Sequence, residues 1–132
     1  MGERYRLLII DDNKEIVRSL KAIFEQKYDI LTAYNGFDGI KVFEEYENRI
    51  DLVISDLVMP ELSGAGLISF IKKKYPGVPI IAITGWVDDI EVTGSKVNAD
   101  QFFKKPFDIC DLESSISELL TNRESAHSLN LT

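Results

Sequence analysis

Three short runs of the sequence are apolar at every position, and they restrict the possible folds more than any other feature. The runs are residues 7–10, 52–54 and 80–83. A strand with one face in water alternates apolar and polar residues, whereas a strand buried on both faces is apolar throughout. We therefore predict three central strands of a sheet that is covered on both sides.

Two further runs, Asp29–Ala33 and Gln101–Lys104, contain more polar residues and fit the edges of the same sheet. The segments between the strands carry apolar residues at helical spacing, for example Ile16, Leu20 and Phe24. Strands that alternate with helices are typical of a parallel sheet. We predict an α/β fold with five parallel strands in the order 2-1-3-4-5 and five helices.

The last two helices differ in how well the sequence supports them. The fourth, over residues 87–97, is the weakest candidate because its middle is a row of poor helix formers, Val-Thr-Gly-Ser. The fifth begins after Asp108, a good N-cap, and its apolar periodicity is lost after residue 120. We predict one domain over residues 1–120 and a polar tail, frayed or the start of a linker, over residues 121–132.

Composition limits the partners and the compartment. The 132 residues include 15 basic and 22 acidic ones, a net charge of −7, which argues against direct binding to nucleic acid or to an anionic membrane. No apolar run approaches the roughly 20 residues that cross a bilayer. A single cysteine, Cys110, cannot form an internal disulfide. We expect a cytoplasmic protein in which Cys110 packs as a small apolar side chain.

Ligands of an open doubly wound sheet bind at the carboxyl ends of its strands, where the strand order reverses. Here that point lies between the first and third strands, which lead into Asp11, Asp12 and Asp56. Two such charges about 4 Å apart repel by roughly 4 kcal/mol at an effective dielectric near 20, so the cluster predicts a bound cation or a raised pKa. Oxygen ligands favour a hard metal such as Mg2+. Thr84 and a pair of lysines end the fourth and fifth strands at the same edge.

Each of these residues alone has an ordinary explanation. An acidic residue after a strand is commonly a solvated loop residue or a helix cap, and a lysine pair is usually solvated. Together, however, they form a complementary set of acids, a hydroxyl and a cation at the ends of four strands. The set as a whole predicts a reactive site.

The order and spacing of this set resemble the receiver domain of bacterial two-component response regulators, over about residues 6–120. The resemblance rests on the acidic pair after the first strand, the central aspartate in Ile-Ser-Asp-Leu-Val-Met-Pro, Gly64, Thr84-Gly85 and the segment Phe-Phe-Lys-Lys-Pro-Phe. It implies a flavodoxin-like fold. It also implies a phosphoryl-accepting switch in signal transduction that is not an enzyme acting on an outside substrate.

The resemblance implies that Asp56 accepts a phosphoryl group from a histidine of a sensor kinase or phosphotransfer protein. A carboxylate can form an acyl phosphate where cations neutralise the charge of the incoming group. By the same resemblance, Mg2+ is held directly by Asp12, Asp56 and the backbone carbonyl of Val58, and through water by Asp11.

The remaining implied roles concern the response to phosphorylation. Lys105, immediately before Pro106, is expected to contact Asp56 and the phosphoryl group, while Lys104 is a bystander. The Thr84 hydroxyl is expected to donate a hydrogen bond to a phosphoryl oxygen. Phe102 either changes rotamer as Thr84 moves or is a permanently buried core residue. The partner that reads the change is an effector domain or protein, and a phosphorylation-dependent dimer fits the same resemblance.

Two other classes of protein remain open at this stage. A Mg2+-dependent hydrolase with an aspartyl-phosphate intermediate commonly has a second aspartate two residues after the nucleophile, where this chain has Val58. A receiver-like protein that binds partners but is never phosphorylated is disfavoured by the intact acidic trio, Thr84 and Lys105. Incubation with Mg2+ and acetyl phosphate separates the three classes.

Overall fold

The strands form one parallel sheet. The computed structural model describes residues 4–59, 61–85 and 98–131, without the side chains of residues 48 and 124–131. Its strands are β1 Arg6–Ile10, β2 Asp29–Ala33, β3 Leu52–Asp56, β4 Ile80–Thr84 and β5 Gln101–Lys104. They lie in the order β2-β1-β3-β4-β5, all parallel. This confirms the predicted flavodoxin-like, doubly wound α/β fold.

The described residues contain four helices. These are α1 Lys14–Phe24, α2 Gly36–Tyr46, α3 Gly64–Lys74 and α4 Ile109–Leu131, with a short 3-10 helix at Glu47–Arg49. The predicted helix over residues 87–97 lies outside the described residues. None of the described helices has both the length and the apolar composition needed to span a membrane.

Polar side chains cap the N-termini of the helices. The side-chain oxygens of Asn13, Asn35 and Ser63 accept hydrogen bonds from backbone amides in the first turns of α1, α2 and α3. At the start of α4, Asp108 Oδ1 accepts from the amide of Cys110 at 2.7 Å. Each cap satisfies a donor that a helix leaves unpaired at its N-terminus. The strands therefore pass into helices close to their carboxyl ends, which is where the site forms.

Both faces of the sheet are covered, as the apolar runs predict. In β1, Leu8 and Ile10 belong to a buried cluster with residues of α2 and α3, whereas Leu7 and Ile9 belong to a cluster with residues of α1 and α4. The alternation follows from the two-residue period of a strand. Strands β3 and β4 are buried at every position, while β5 is exposed at both ends, so the polar runs do lie at the edges.

The last helix is longer than the sequence suggests. We predicted a polar tail, frayed or the start of a linker, after residue 120, and the backbone of α4 is helical through Leu131. The loss of apolar periodicity removes a packing signal, yet the segment contains no proline or glycine that would end a helix. Arg123 also fixes this part of α4, because its Nη1 lies 3.0 Å from both the carbonyl oxygen and Oδ1 of Asp51. The domain boundary at residue 120 stays a prediction.

Cys110 does not pack into the core. It is exposed, so the expectation that it behaves as a small buried side chain is wrong. In the first two turns of α4 the inward position is taken by Leu112, which is fully buried. Cys110 lies on another side of the helix, and the sequence pattern alone did not separate the two sides at the helix start.

Candidate functional site

Three carboxylates meet at the carboxyl ends of β1 and β3. These strands are neighbours in register, with Ile10 opposite Ser55, so Asp11 directly after β1 lies beside Asp56 at the end of β3. Asp11, Asp12 and Asp56 each offer an oxygen within 4.8 Å of the other two. Asp11 is 2% exposed and Asp56 is 5% exposed, whereas Asp12 faces solvent. The structure thus brings together the acidic trio on which the sequence argument rests.

Lys105 brings a positive charge to the same place. Its Nζ lies 2.9 Å from Asp11 Oδ2 and 3.4 Å from Asp56 Oδ2. Its backbone amide donates to the carbonyl oxygen of Thr84 at 2.7 Å, which ties the segment after β5 to the end of β4. Lys104 is exposed at the end of β5. The closer approach to Asp11 was not anticipated from the sequence, because it depends on how three strand ends are arranged in space.

Backbone amides hold the two buried carboxylates in place. Asp11 Oδ1 accepts from the amide of Asn13 at 2.9 Å, and Asp56 Oδ1 accepts from the amide of Val58 at 3.2 Å. The second oxygen of each carboxylate, Oδ2, is the one that faces Lys105. Among the described residues Asp11 Oδ2 has no partner in hydrogen-bond geometry, although the ammonium of Lys105 is close enough for an ion pair.

This arrangement fits a hard cation. Burying a carboxylate is costly unless a cation or hydrogen bonds compensate it. Here three carboxylates lie together, two of them buried, and the single ammonium of Lys105 cannot neutralise all three. Oxygen ligands of this kind are preferred by Mg2+. The residues present are therefore suited to Mg2+ coordination.

The charges of the site shift the pKa values of its members. Burial, followed by repulsion from Asp11, raises the pKa of Asp56 from 3.8 to about 6, against the opposing effects of the Val58 amide and of Lys105. Burial by itself lowers the pKa of Lys105, but the attraction of Asp11 and Asp56 outweighs it and the net pKa is raised. Lys105 is thus a stable ammonium at neutral pH. The Asp56 carboxylate carries an electrostatic cost that a further cation would relieve.

A glycine allows α3 to begin directly against the end of β3. A Cβ added at Gly64 would lie 2.0 Å from the carbonyl oxygen of Asp56 and 2.6 Å from Leu57 Cα. The Gly64 amide donates to the carbonyl oxygen of Leu57 at 3.1 Å and closes the loop that follows Asp56. No other residue type fits here without moving the backbone that carries Asp56.

The remaining predicted residues lie at or near this edge. Thr84 is fully buried at the end of β4. Phe102, in β5, is opposite Ala82 in β4 and is partly buried against the core cluster that α2 and α3 share. Val58 follows Asp56 by two residues and its side chain is 47% exposed at the rim. The structure therefore assembles the predicted set from β1, β3, β4 and the segment after β5.

Comparison with known proteins identifies the class. The sequence matches the response regulator receiver domain family over residues 7–117, so the chain belongs to that family. It is 36% identical over 119 residues to "Probable transcriptional regulator ycf27" of Cyanidium caldarium, covering 89% of this chain and 47% of that protein. Its fold is similar to that of a response regulator receiver domain protein from Clostridium thermocellum, with a TM-score of 0.85, 32% identity and coverage of 92% and 98% of the two chains.

A second solved structure bears on the metal. The response regulator TrrA from Thermotoga maritima, solved in complex with Mg2+ and BeF, has a TM-score of 0.77 and 33% identity, with coverage of 87% of this chain and 98% of that one. Many curated relatives are longer: the chain spans about half or less of the length of those that it matches, among them transcriptional regulators and histidine kinases. The family places the chain in two-component signalling.

Proposed function

We propose that the chain is a Mg2+-dependent switch that accepts a phosphoryl group on Asp56 from a phosphohistidine of a sensor kinase or phosphotransfer protein. One observation carries this proposal: Asp56 is buried, lies beside two further carboxylates and has the Lys105 ammonium 3.4 Å from its Oδ2. A cytoplasmic location and an effector domain or protein as the reader of the switch belong to the same proposal.

The residues of the site suit this transfer. A carboxylate oxygen of Asp56 forms a bond to phosphorus as the bond between phosphorus and the histidine nitrogen breaks, and the imidazole keeps the electron pair. Lys105 can neutralise charge on the transferred group, because its ammonium already faces Asp56. Bound Mg2+ would supply further positive charge at the phosphoryl oxygens. Its ligands would be Asp12, Asp56 and the backbone carbonyl of Val58, with Asp11 binding through water.

Phosphorylation would then shift the balance between two conformations. The modification adds roughly 1.5 to 2 negative charges and three acceptor oxygens, to which the Thr84 hydroxyl would donate. A difference of only about 1.4 kcal/mol changes the ratio of two states tenfold. Phe102 has room to respond, since it is only partly buried, and we assign it the role of the side chain that moves with Thr84. Dimerisation of the phosphorylated chain is one output of the new conformation.

The test is incubation with Mg2+ and acetyl phosphate, followed by intact-mass measurement and mapping of the modified residue. We expect one phosphoryl group on Asp56 and none in the Asp56→Asn variant. Continuous release of phosphate at enzyme rates would instead indicate a hydrolase. A wild-type chain that stays unmodified, and that does not bind beryllofluoride with Mg2+, would indicate a receiver fold used only for binding.

A further inference from the structure

Leu62, in the loop that follows β3, lies in a narrow space between α2 and α3. A Cβ added at Gly36, the first residue of α2, would lie 2.9 Å from the carbonyl oxygen of Leu62 and 3.0 Å from its Cβ. A Cβ added at Gly66, in α3, would lie 3.1 Å from Leu62 Cδ1. Because neither glycine carries a side chain, α2 and α3 can approach Leu62 closely. We call the space that these two glycines leave for the leucine side chain the Leu62 socket.

Leu62 belongs to the loop between β3 and α3, and this loop is fixed at both ends. At its start, the Leu57 amide donates to the carbonyl oxygen of Ile83 at 2.8 Å. At its end, the Gly64 amide donates to the carbonyl oxygen of Leu57 at 3.1 Å. Since these bonds hold the ends of the loop, a displacement of Leu62 that leaves them intact shifts residues inside the loop, which includes Val58.

The backbone beside Leu62 shows that the path of the loop is imposed from outside. Glu61 has φ 68, in the left-handed region that favours glycine. Such a conformation in another residue type is unfavourable and persists where the surroundings determine it. Glu61 is exposed, whereas Leu62 is partly buried against the core cluster. Leu62 therefore anchors the residues next to Glu61 to the core.

We propose that Leu62 is a positioning residue for the metal site. Seated in its socket, it holds the loop so that the Val58 backbone stays beside Asp56. The inference rests on the proposed function, in which the Val58 carbonyl is a ligand of Mg2+. The Val58 amide donates to Asp56 Oδ1 at 3.2 Å, so a shift of the loop disturbs this hydrogen bond together with the carbonyl. Leu62 acts only through the loop.

The test compares two socket variants with two matched controls. Gly36→Ala presses on the Leu62 backbone, and Leu62→Ala empties the socket. Gly39→Ala, in the same helix, places its Cβ 2.8 Å from Ile10 Cδ1, the far end of a flexible side chain. Leu119→Ala removes a partly buried leucine on the opposite face of the sheet. The metal alone is titrated into each isotope-labelled protein, and the amide signals of Asn13 and Val58 are followed by NMR. Tm is measured without metal.

We expect both socket variants to raise the Kd for Mg2+ about tenfold, the usual effect of losing a group that supports a ligand. The controls should keep the wild-type Kd, although Leu119→Ala should lower Tm. The Val58 amide signal should also change in the metal-free socket variants, while that of Asn13 stays in place. If one socket variant does not fold, the Kd of the other socket variant tests the proposal.

Two failures are distinguishable. A wild-type protein that does not bind Mg2+ refutes the proposed function itself. A wild-type protein that binds Mg2+, with socket variants whose Kd matches that of the controls, overturns only the inference about Leu62. An equal loss of affinity in Leu119→Ala also overturns it, because the effect would then reflect general destabilisation.

Discussion

Replacing Asp56 with asparagine should stabilise the metal-free protein at neutral pH, although it removes the proposed phosphoryl acceptor. The pKa of Asp56 is raised from 3.8 to about 6, so ionising this group is harder in the folded chain than in the unfolded one. Two pKa units correspond to about 3 kcal/mol. Solvent screening at the open edge of the site reduces this to about 1 to 2 kcal/mol. Asparagine keeps the shape of the side chain without the charge.

The raised pKa of Asp56 also determines how the stability of the protein changes with pH. Between pH 3.8 and about 6 the folded state binds more protons at Asp56 than the unfolded state does, so stability falls as pH rises through this window. The advantage of Asp56→Asn should be absent near pH 3.5, grow through the window and stay constant above it. Urea denaturation in EDTA at several pH values measures this, and added Mg2+ should reduce the difference. An Asp56→Asn protein less stable than wild type at pH 7.5, or a difference independent of pH, would refute the reasoning.

Three further predictions concern residues that shape the site or hold the fold around it. Gly64→Ala should destabilise the fold by at least about 2 kcal/mol in urea denaturation, because its Cβ would lie 2.0 Å from a backbone oxygen. Arg123→Ala should lose about 1 kcal/mol and speed hydrogen exchange in the second half of α4, because two hydrogen bonds to Asp51 disappear. Lys105→Met should raise the pKa of Asp56 above about 6, because Lys105 lowers it, as followed by NMR titration of the carboxyl carbon.

Each of the three has a matched control. Gly77→Ala adds a Cβ with nothing within 4 Å, and equal losses at both glycines would contradict the steric argument. Asn122→Ala changes an exposed neighbour of Arg123, so equally faster exchange in that variant would mean that the ion pair does not hold α4. Lys104→Met removes the exposed lysine, and a pKa of Asp56 that responds equally to both lysine variants would refute the role of proximity.

The sequence predicted the features that depend on local pattern. Uniformly apolar runs identify β1, β3 and β4 as central strands because only a strand covered on both faces is apolar throughout. Acidic residues that end neighbouring parallel strands must then share one edge, which brings Asp11 and Asp56 together. The cap Asp108 could be predicted because a helix start needs a side-chain acceptor for its unpaired backbone amides.

Features that depend on the tertiary arrangement could not be predicted from local sequence patterns. The ion pair between Lys105 and Asp11 joins the residues that directly follow β5 and β1, two strands that are not neighbours in the sheet. The Leu62 socket depends on Gly36, and a whole helix and a whole strand separate Gly36 from Leu62 in the sequence. Two glycines in predicted helices do not indicate, from the sequence alone, which side chain packs against them. The length of α4 was missed because helical backbone continues where apolar spacing stops.

The response to charge at Asp56 should be directed toward β4 and β5. Asp11 directly follows β1 and Asp56 ends β3, and helices pack on both faces of these central strands, so the two carboxylates have little freedom to move. The neutralising ammonium of Lys105 follows an edge strand that is exposed at both ends. Its amide is bonded to the carbonyl oxygen of Thr84 at 2.7 Å. Added negative charge at Asp56 would attract Lys105, and through this hydrogen bond the same force acts on the end of β4.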